Sequence, residues 1–407
     1  MNPVILSVKI TNKRNILEYL INNGETSRIT LASALGLSTG TVTNIVTELI
    51  QEELVYESRQ ENSAAGRKTT LLRFNEKKAL VLTCIMNGTI EDSIDLAVQD
   101  LLGNVISNET IPCMLHVNTE HTEIILIKEI IEYLQSFINR QPENVRKLLC
   151  AIGLCIGGMV DSNQLIYAPI FNWQHLNFVT PLSAALHLPV HAEGITRIRA
   201  LYELRWLDGS EKNVIYLNLS TGIGMVNFFN GKMIRGKTGI SGEVGHISLN
   251  PFGPKCYCGN NGCFEYYCGM TQMLERVRAS LDSIDENDVL YDLVVRKHKP
   301  LNPSLVFEAW EKGSLVMYQL LSSVSKYLGA GLTTIYNIYD PDHIVLSGYI
   351  DGLDGPIIED AIIDAKSKII NKFSRQLNIT RAHLKPEQEN LATALFVTSK
   401  YLDSIIE

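Results

Sequence analysis

An α/β body preceded by a small, separate helical module is the fold class this sequence predicts, and three observations predict it. The first 75 residues carry eight Lys/Arg, seven Glu and no Asp, against 28 basic and 37 acidic residues in the rest. From Lys77 onward, short apolar runs alternate with amphipathic helical stretches. Between residues 242 and 265 stands Gly-Glu-Val-Gly-His246, followed after nine residues by Cys256-Tyr257-Cys258 and, four residues later, by Cys263.

Length and composition set the frame. The 407 residues suffice for roughly three compact units, and 45% hydrophobic with 20% charged residues describes an ordinary globular protein. Residues 1–10 show no basic segment leading into an apolar core, so no secretory signal is read there. Apolar runs such as Leu80 to Met86 fall far short of a membrane span. A cytoplasmic protein with no membrane partner is expected. The acidic body argues against nonspecific nucleic-acid binding over its surface, which leaves the first 75 residues as the candidate for that role.

Within that module, Ile16, Leu17, Leu20 and Ile21 give residues 12–23 an amphipathic spacing closed by Gly24. Ile29, Leu31, Ala32 and Leu35 mark a second short helix, and Gly36-Leu37-Ser38 a turn. Ser38 or Thr39 can cap a third helix whose apolar face is Val42, Ile45, Val46, Leu49 and Ile50. Helix, short helix, glycine turn and helix form the helix-turn-helix pattern. Thr39, Gly40, Thr41, Thr43 and Asn44 open the third helix with small hydrogen-bonding groups suited to base edges in a major groove. Residues 54–57 and 69–74 alternate like a hairpin, and the polar loop between them ends in Gly66, Arg67 and Lys68. Such a wing would bring a guanidinium to a minor groove.

In the body, residues 80–86, 93–99 and 105–111 read as strands, 118–138 as a helix capped by Asn118 or Thr119, and 148–156 and 189–192 as buried strands. A helix at about 196–207, a strand at 214–219 and a hairpin through Asn230-Gly231 follow. The pattern closes with helices at 316–336, 357–373 and 388–405 and a strand at 343–346. The expected divisions are 1–75 for the winged module, 76–195 with 388–407 for a first lobe, and 196–387 for a second.

His246, Cys256, Cys258 and Cys263 supply the N/S set of a closed, four-coordinate structural zinc site, which orders a loop and activates no water. Cys84, Cys113, Cys150 and Cys155 read as small buried hydrophobes.

Four stretches carry a resemblance to a known family: Gly66-Arg67-Lys68 after the winged helix, residues 152–161, Ser220-Thr221-Gly222-Ile223-Gly224, and the Gly242 to Glu265 motif. The chain resembles the ROK family of repressors, open reading frames and kinases, and within it the xylose- and N-acetylglucosamine-responsive repressors. The resemblance implies an actin-like, two-lobed sugar-kinase body with a structural zinc beside a sugar pocket, usually oligomeric. It places Glu243, His246 and Glu265 on sugar hydroxyls, with Gly158 and Asp161 at the floor and Glu193 retained nearby. Glu243 and Glu265 could equally order the zinc loop. The family's kinases carry Glu-Asn-Asp, the aspartate acting as general base; the matching residues here are Glu193, Gly194 and Ile195. Isoleucine accepts no proton. The first phosphate loop, Ile85-Met86-Asn87-Gly88-Thr89, lacks its acidic residue and first glycine. Arg197 either reaches an anionic or hydroxylated ligand or lies on the surface.

The function expected is therefore a sugar-responsive transcriptional repressor of carbohydrate-utilisation genes with no kinase activity. It would bind a pseudo-palindromic operator as a homodimer or homotetramer and release it when a monosaccharide binds between the lobes. Its rivals are an active sugar kinase with an added DNA-binding domain, and a repressor sensing redox state through the cysteine cluster with Cys268 as resolving thiol.

Overall fold

The computed structural model describes residues 3–62, 68–88, 92–118, 122–168, 171–207, 210–349, 356–370, 377–385 and 388–406. The chain forms two compact units, residues 1–205 with 387–407 and residues 206–386. The first unit thus runs ten residues beyond the boundary expected at 195.

The first unit begins with α1 (Pro3–Asn23), β1 (Thr26–Ser27), α2 (Arg28–Leu35), α3 (Thr39–Gln51), β2 (Val55–Asn62) and β3 (Lys68–Phe74). The three strands form a sheet in the order β1-β3-β2. Helix α1 starts nine residues earlier than its apolar spacing predicts. Pro3 is tolerated in the first turn, and within the added length Lys9 pairs with Glu48 of α3 at 2.7 Å; Lys13, inside the expected helix, pairs with Glu52, the residue after α3, at 2.5 Å.

Next come β4 (Leu80–Gly88), β5 (Asp92–Asp100), β6 (Val105–Pro112), α4 (Glu123–Asn139), α5 (Glu143–Leu148) and β7 (Leu149–Ile156). They are followed by β8 (Met159–Asp161), β9 (Gln164–Ala168), β10 (Trp173–Gln174), α6 (Val179–Leu186), β11 (Val190–Gly194) and α7 (Ile195–Glu203). The central sheet has the order β11-β7-β4-β5-β6. Strands β4, β5 and β6 form an antiparallel meander, while β7 lies parallel to both β4 and β11. Leu82, Leu96, Ile152, Leu154 and Trp173 belong to its core, and the Trp173 indole N–H is satisfied by the Leu115 carbonyl at 2.8 Å. Helix α4 starts later than expected, with Thr122 at its N-cap position and no side-chain cap bond. The expected cap Thr119 lies outside the described residues.

The second unit contains β12 (Val214–Leu219), β13 (Ile223–Phe229), β14 (Lys232–Met233), α8 (Phe264–Cys268), α9 (Met270–Ser280), α10 (Val289–Tyr291) and α11 (Pro303–Glu311). It ends with α12 (Leu315–Tyr339), β15 (His343–Gly348), α13 (Pro356–Lys368) and β16 (Ile379–Arg381). Its sheet order is β14-β13-β12-β15-β16. The expected hairpin forms at Asn230 and Gly231, whose φ values of 51° and 72° are those of a tight primed turn. Among the described residues, no single helix is long and apolar enough to cross a membrane.

The last helix, α14 (Glu389–Ile406), returns to the first unit and packs on α1, α7, β4 and β7. Arg14 of α1 reaches Asp403 at 2.7 Å, and Arg199 of α7 pairs with Glu389.

Candidate nucleic-acid interface and metal centre

In the N-terminal module, two serines build the recognition geometry. Ser27 caps α2 by accepting from the Thr30 N–H at 3.1 Å, and Ser38 caps α3 by accepting from Thr41 N–H at 3.0 Å. Ser38, of the two residues expected for that cap, is the one used. Gly36 at φ 64° turns the chain, and α2 and α3 meet at 118°. Val42, Ile45, Val46 and Leu49 are buried, which leaves Thr39, Gly40, Thr43 and Asn44 exposed and Thr41 half-buried. The Thr43 hydroxyl donates to the Thr39 carbonyl at 2.8 Å, and the Thr41 hydroxyl lies 2.8 Å from that of Ser38. Among the described residues, Asn44 makes no such side-chain bond, so its amide faces outward uncommitted. Lys68 is exposed at the start of β3; Gly66 and Arg67 lie outside the described residues.

The residues expected to ligate a metal come together in the second unit. A short turn, Val244–His246, presents the imidazole, while antiparallel bridges pair Ser248 with Cys263 and Lys255 with Asn261 to close the loop. The Cys256 N–H donates to the Asn260 carbonyl at 2.8 Å, which folds Cys258 back toward Cys263. One donor atom from each of His246, Cys256, Cys258 and Cys263 lies within 4.8 Å of the others. The Cys258 and Cys263 sulfurs are 3.6 Å apart, and Cys256 Sγ is 3.8 Å from His246 Nδ1. A tetrahedron with metal–sulfur bonds of about 2.3 Å sets sulfurs about 3.8 Å apart, so the donors fit a bound cation and are too far apart for a disulfide. Burial pushes the Cys256 and Cys263 thiols up. At Cys258 burial acts the same way but is outweighed by hydrogen bonds from the Asn260 backbone and the neighbouring thiols, and the thiol is lowered. A cation bound there would favour the thiolate form of all three. Elsewhere, Cys84 and Cys155 are buried, while Cys113 and Cys150, half-buried, are pushed up by burial to about 11 and about 12. Cys268 is buried, and its thiol donates to the Val324 carbonyl.

Two of the three carboxylate and imidazole groups expected at the sugar lie beside this loop, around one side chain. His246 Nε2 is 3.1 Å from the Tyr257 hydroxyl, and the Glu265 carboxylate stands close enough for its charge to act on that hydroxyl. Burial first, then the Glu265 charge, raises the Tyr257 phenol; the charge of Glu243 contributes as well. Glu265 is buried at 7% exposure and accepts from the Ile223 N–H at 2.8 Å. A Cβ on Gly222 would stand 2.6 Å from Glu265 Oε2, so the glycine turn at 220–224 is shaped around this carboxylate. Glu265 thus orders its loop as well as facing the Tyr257 hydroxyl. Glu243 is half-buried at the start of the His246 turn. Tyr257 was not singled out by the sequence reading, although its position between two ligands was visible.

In the first unit, Glu193 and Gly158 are neighbours. Glu193 ends β11 next to Gly194, and a Cβ on Gly194 would lie 2.7 Å from the Gly158 carbonyl oxygen. Glu193 is 2% exposed and accepts from the Gly194 N–H at 3.0 Å. Arg197, four residues on, is buried: it donates to the Val160 carbonyl at 2.5 Å and lies 3.5 Å from Glu193. The surface position, one of the two readings of Arg197, therefore does not hold. Its spacing from Glu193, one turn along α7, was the available signal. Ile195 opens α7 half-buried, and Ile85 is buried.

Comparison with known proteins agrees with this architecture. The ROK family profile matches residues 87–397, and a winged helix-turn-helix DNA-binding profile matches residues 11–56. The xylose repressor of Bacillus subtilis is 28% identical over 403 residues, covering 98% of this chain and 97% of that protein. The N-acetylglucosamine repressor of Escherichia coli O157:H7 is 26% identical over 385 residues, covering 93% and 90%. The crystal structure of a ROK family transcriptional regulator, a homologue of the E. coli MLC protein, superposes with a TM-score of 0.78 at 21% identity and covers 98% of each chain. With the ROK profile spanning most of its length, this chain belongs to the ROK family.

Proposed function

We propose that this protein is a sugar-responsive transcriptional repressor of carbohydrate-utilisation genes, without kinase activity. What carries the reading is Ile195 at the head of α7, a side chain that accepts no proton, in a chain that also displays an exposed helix-turn-helix face. The relatives over nearly its whole length bear the names of repressors, which supports the same reading.

In this proposal α3 enters the major groove through Thr39, Gly40, Thr41, Thr43 and Asn44, and the wing at Gly66, Arg67 and Lys68 meets the minor groove. Residues 1–75 act as the DNA-binding module, and the body in residues 76–387, with 388–407 returning to it, acts as the sensor. A homodimer, or a tetramer built from two, would read a pseudo-palindromic operator in the cytoplasm. Zinc held by His246, Cys256, Cys258 and Cys263 would fix the loop; bound there it supplies structure, not reactivity. Glu243, His246 and Glu265 would meet sugar hydroxyls. A coupling of about 3 kcal/mol between sugar and operator would suffice for induction.

Duplexes selected from a random pool by the purified protein, then titrated in mobility-shift assays with D-xylose and N-acetyl-D-glucosamine, test this reading. Specific binding weakened by one sugar is expected, with no ADP formed in a coupled assay. ATP-dependent phosphorylation of either sugar would sink it.

A further inference from the structure

We infer that the Tyr257 hydroxyl is a tethered stand-in for a ligand hydroxyl, holding the His246 imidazole beside Glu265 until a sugar displaces it. The inference rests on the proposed function, in which those two groups meet the ligand.

The Tyr257 phenol oxygen lies 3.1 Å from His246 Nε2, beside the Glu265 charge. His246 Nδ1 faces Cys256 Sγ, within the group of expected metal ligands. With a metal on Nδ1 the proton would stand on Nε2, and the imidazole would donate to the phenol oxygen. A sugar hydroxyl in the same place would accept that bond in the same way.

Tyr257 is 62% exposed, and its ring stands edge-on to His246 at 5.1 Å and 90°. Rotation about the side-chain bonds of so exposed a residue removes the phenol from the site. Glu265 has its bond from the Ile223 N–H at 2.8 Å whether or not the phenol is there. Sugar binding at His246 is thus an exchange of one hydroxyl for another, which weakens the apparent affinity by the worth of one hydrogen bond.

Isothermal titration of the zinc-loaded full-length protein tests this, using D-xylose, N-acetyl-D-glucosamine and a panel of other monosaccharides and sugar phosphates. Tyr257→Phe is expected to bind the same sugar about three- to tenfold more tightly than the unaltered protein, with equal zinc content. Tyr257→Ala, which removes the ring as well, should shift in the same direction, while Glu243→Gln should lose binding. Equal or weaker affinity in both Tyr257 variants, with binding by the unaltered protein intact, overturns the inference and leaves the proposed function standing. If the unaltered protein and the variants bind no sugar of the panel, the proposed function falls and the inference with it.

Discussion

The Glu193 carboxylate and the Arg197 guanidinium lie 3.5 Å apart in the first unit, with only 3% and 10% of their side chains exposed. The pair replaces a strand-end acidic residue and a following helix by one braced corner, anchored further by the Arg197 bond to Val160. Removing one member leaves the other charge buried, the costly way to break such a pair. Glu193→Ala should lower stability by about 3 kcal/mol in urea denaturation, and Glu193→Gln combined with Arg197→Met should recover much of that. A loss below about 1 kcal/mol for the single variant would show that other contacts hold the corner.

Cys258 is the exposed member of the ligand set, whereas Cys256 and Cys263 are buried. Cys258→Ser therefore removes little packing, and its effect reads the metal. With a structural zinc contributing on the order of 10 kcal/mol to folding at neutral pH, both this variant and chelation should lower the melting temperature of the second unit by roughly 10 °C or more. Unchanged melting in both cases would rule the metal out.

Asn44 and Thr43 sit side by side on the exposed face of α3, but only Thr43 has spent its hydroxyl on the helix, at the Thr39 carbonyl. Asn44→Ala should cost about 1–3 kcal/mol of operator affinity, and Thr43→Val distinctly less. Lys68→Ala should weaken binding to all duplexes and reduce the salt slope by about 1. Fluorescence anisotropy at several salt concentrations measures each; equal losses for Asn44 and Thr43 would contradict the assignment.

Asp288 ties two helix starts together, accepting from Leu290 N–H in α10 and from Ser314, Leu315 and Val316 at the head of α12. Burial would raise its carboxyl, but the Ser314 hydroxyl and these backbone donors outweigh it and hold the group below its ordinary value. A carboxyl depressed by folding stabilises the native state above its unfolded pKa, and that contribution is lost as pH falls toward the folded value. Asp288→Ala should therefore cost about 1–2 kcal/mol at pH 7 and progressively less below pH 4. A pH-independent difference between the two proteins would refute the linkage.

Where local chemistry decided the outcome, the sequence was readable. Ser38 before an apolar period, Asn230-Gly231 between two strands, and a histidine with three cysteines in a glycine-rich loop each formed the structure their spacing implies. Elements whose signal is tertiary were missed or misjudged. The sheet of β8, β9 and β10 has strands of two to five residues, and its turns place Ser162, Asn163, Asn172 and His175 at positive φ with no glycine to mark them. In the added length of helix α1, Lys9 meets Glu48 of α3, a contact no local pattern reveals. Arg197 was hard to place because a buried arginine is legible only through its partner. At the candidate site the ligands were visible one by one, whereas the Tyr257 bridge required the loop to be closed.

The closeness of Gly194 to the Gly158 carbonyl decides which substitutions this corner accepts. An aspartate at 195 would supply a proton acceptor, but an asparagine at 194 would bring its first side-chain carbon to 2.7 Å from a backbone oxygen. The main chain at 158 would have to move before any side chain could be seated at 194. Position 194 therefore changes only together with the backbone that faces it, so no single substitution there can build a new side-chain contact on its own.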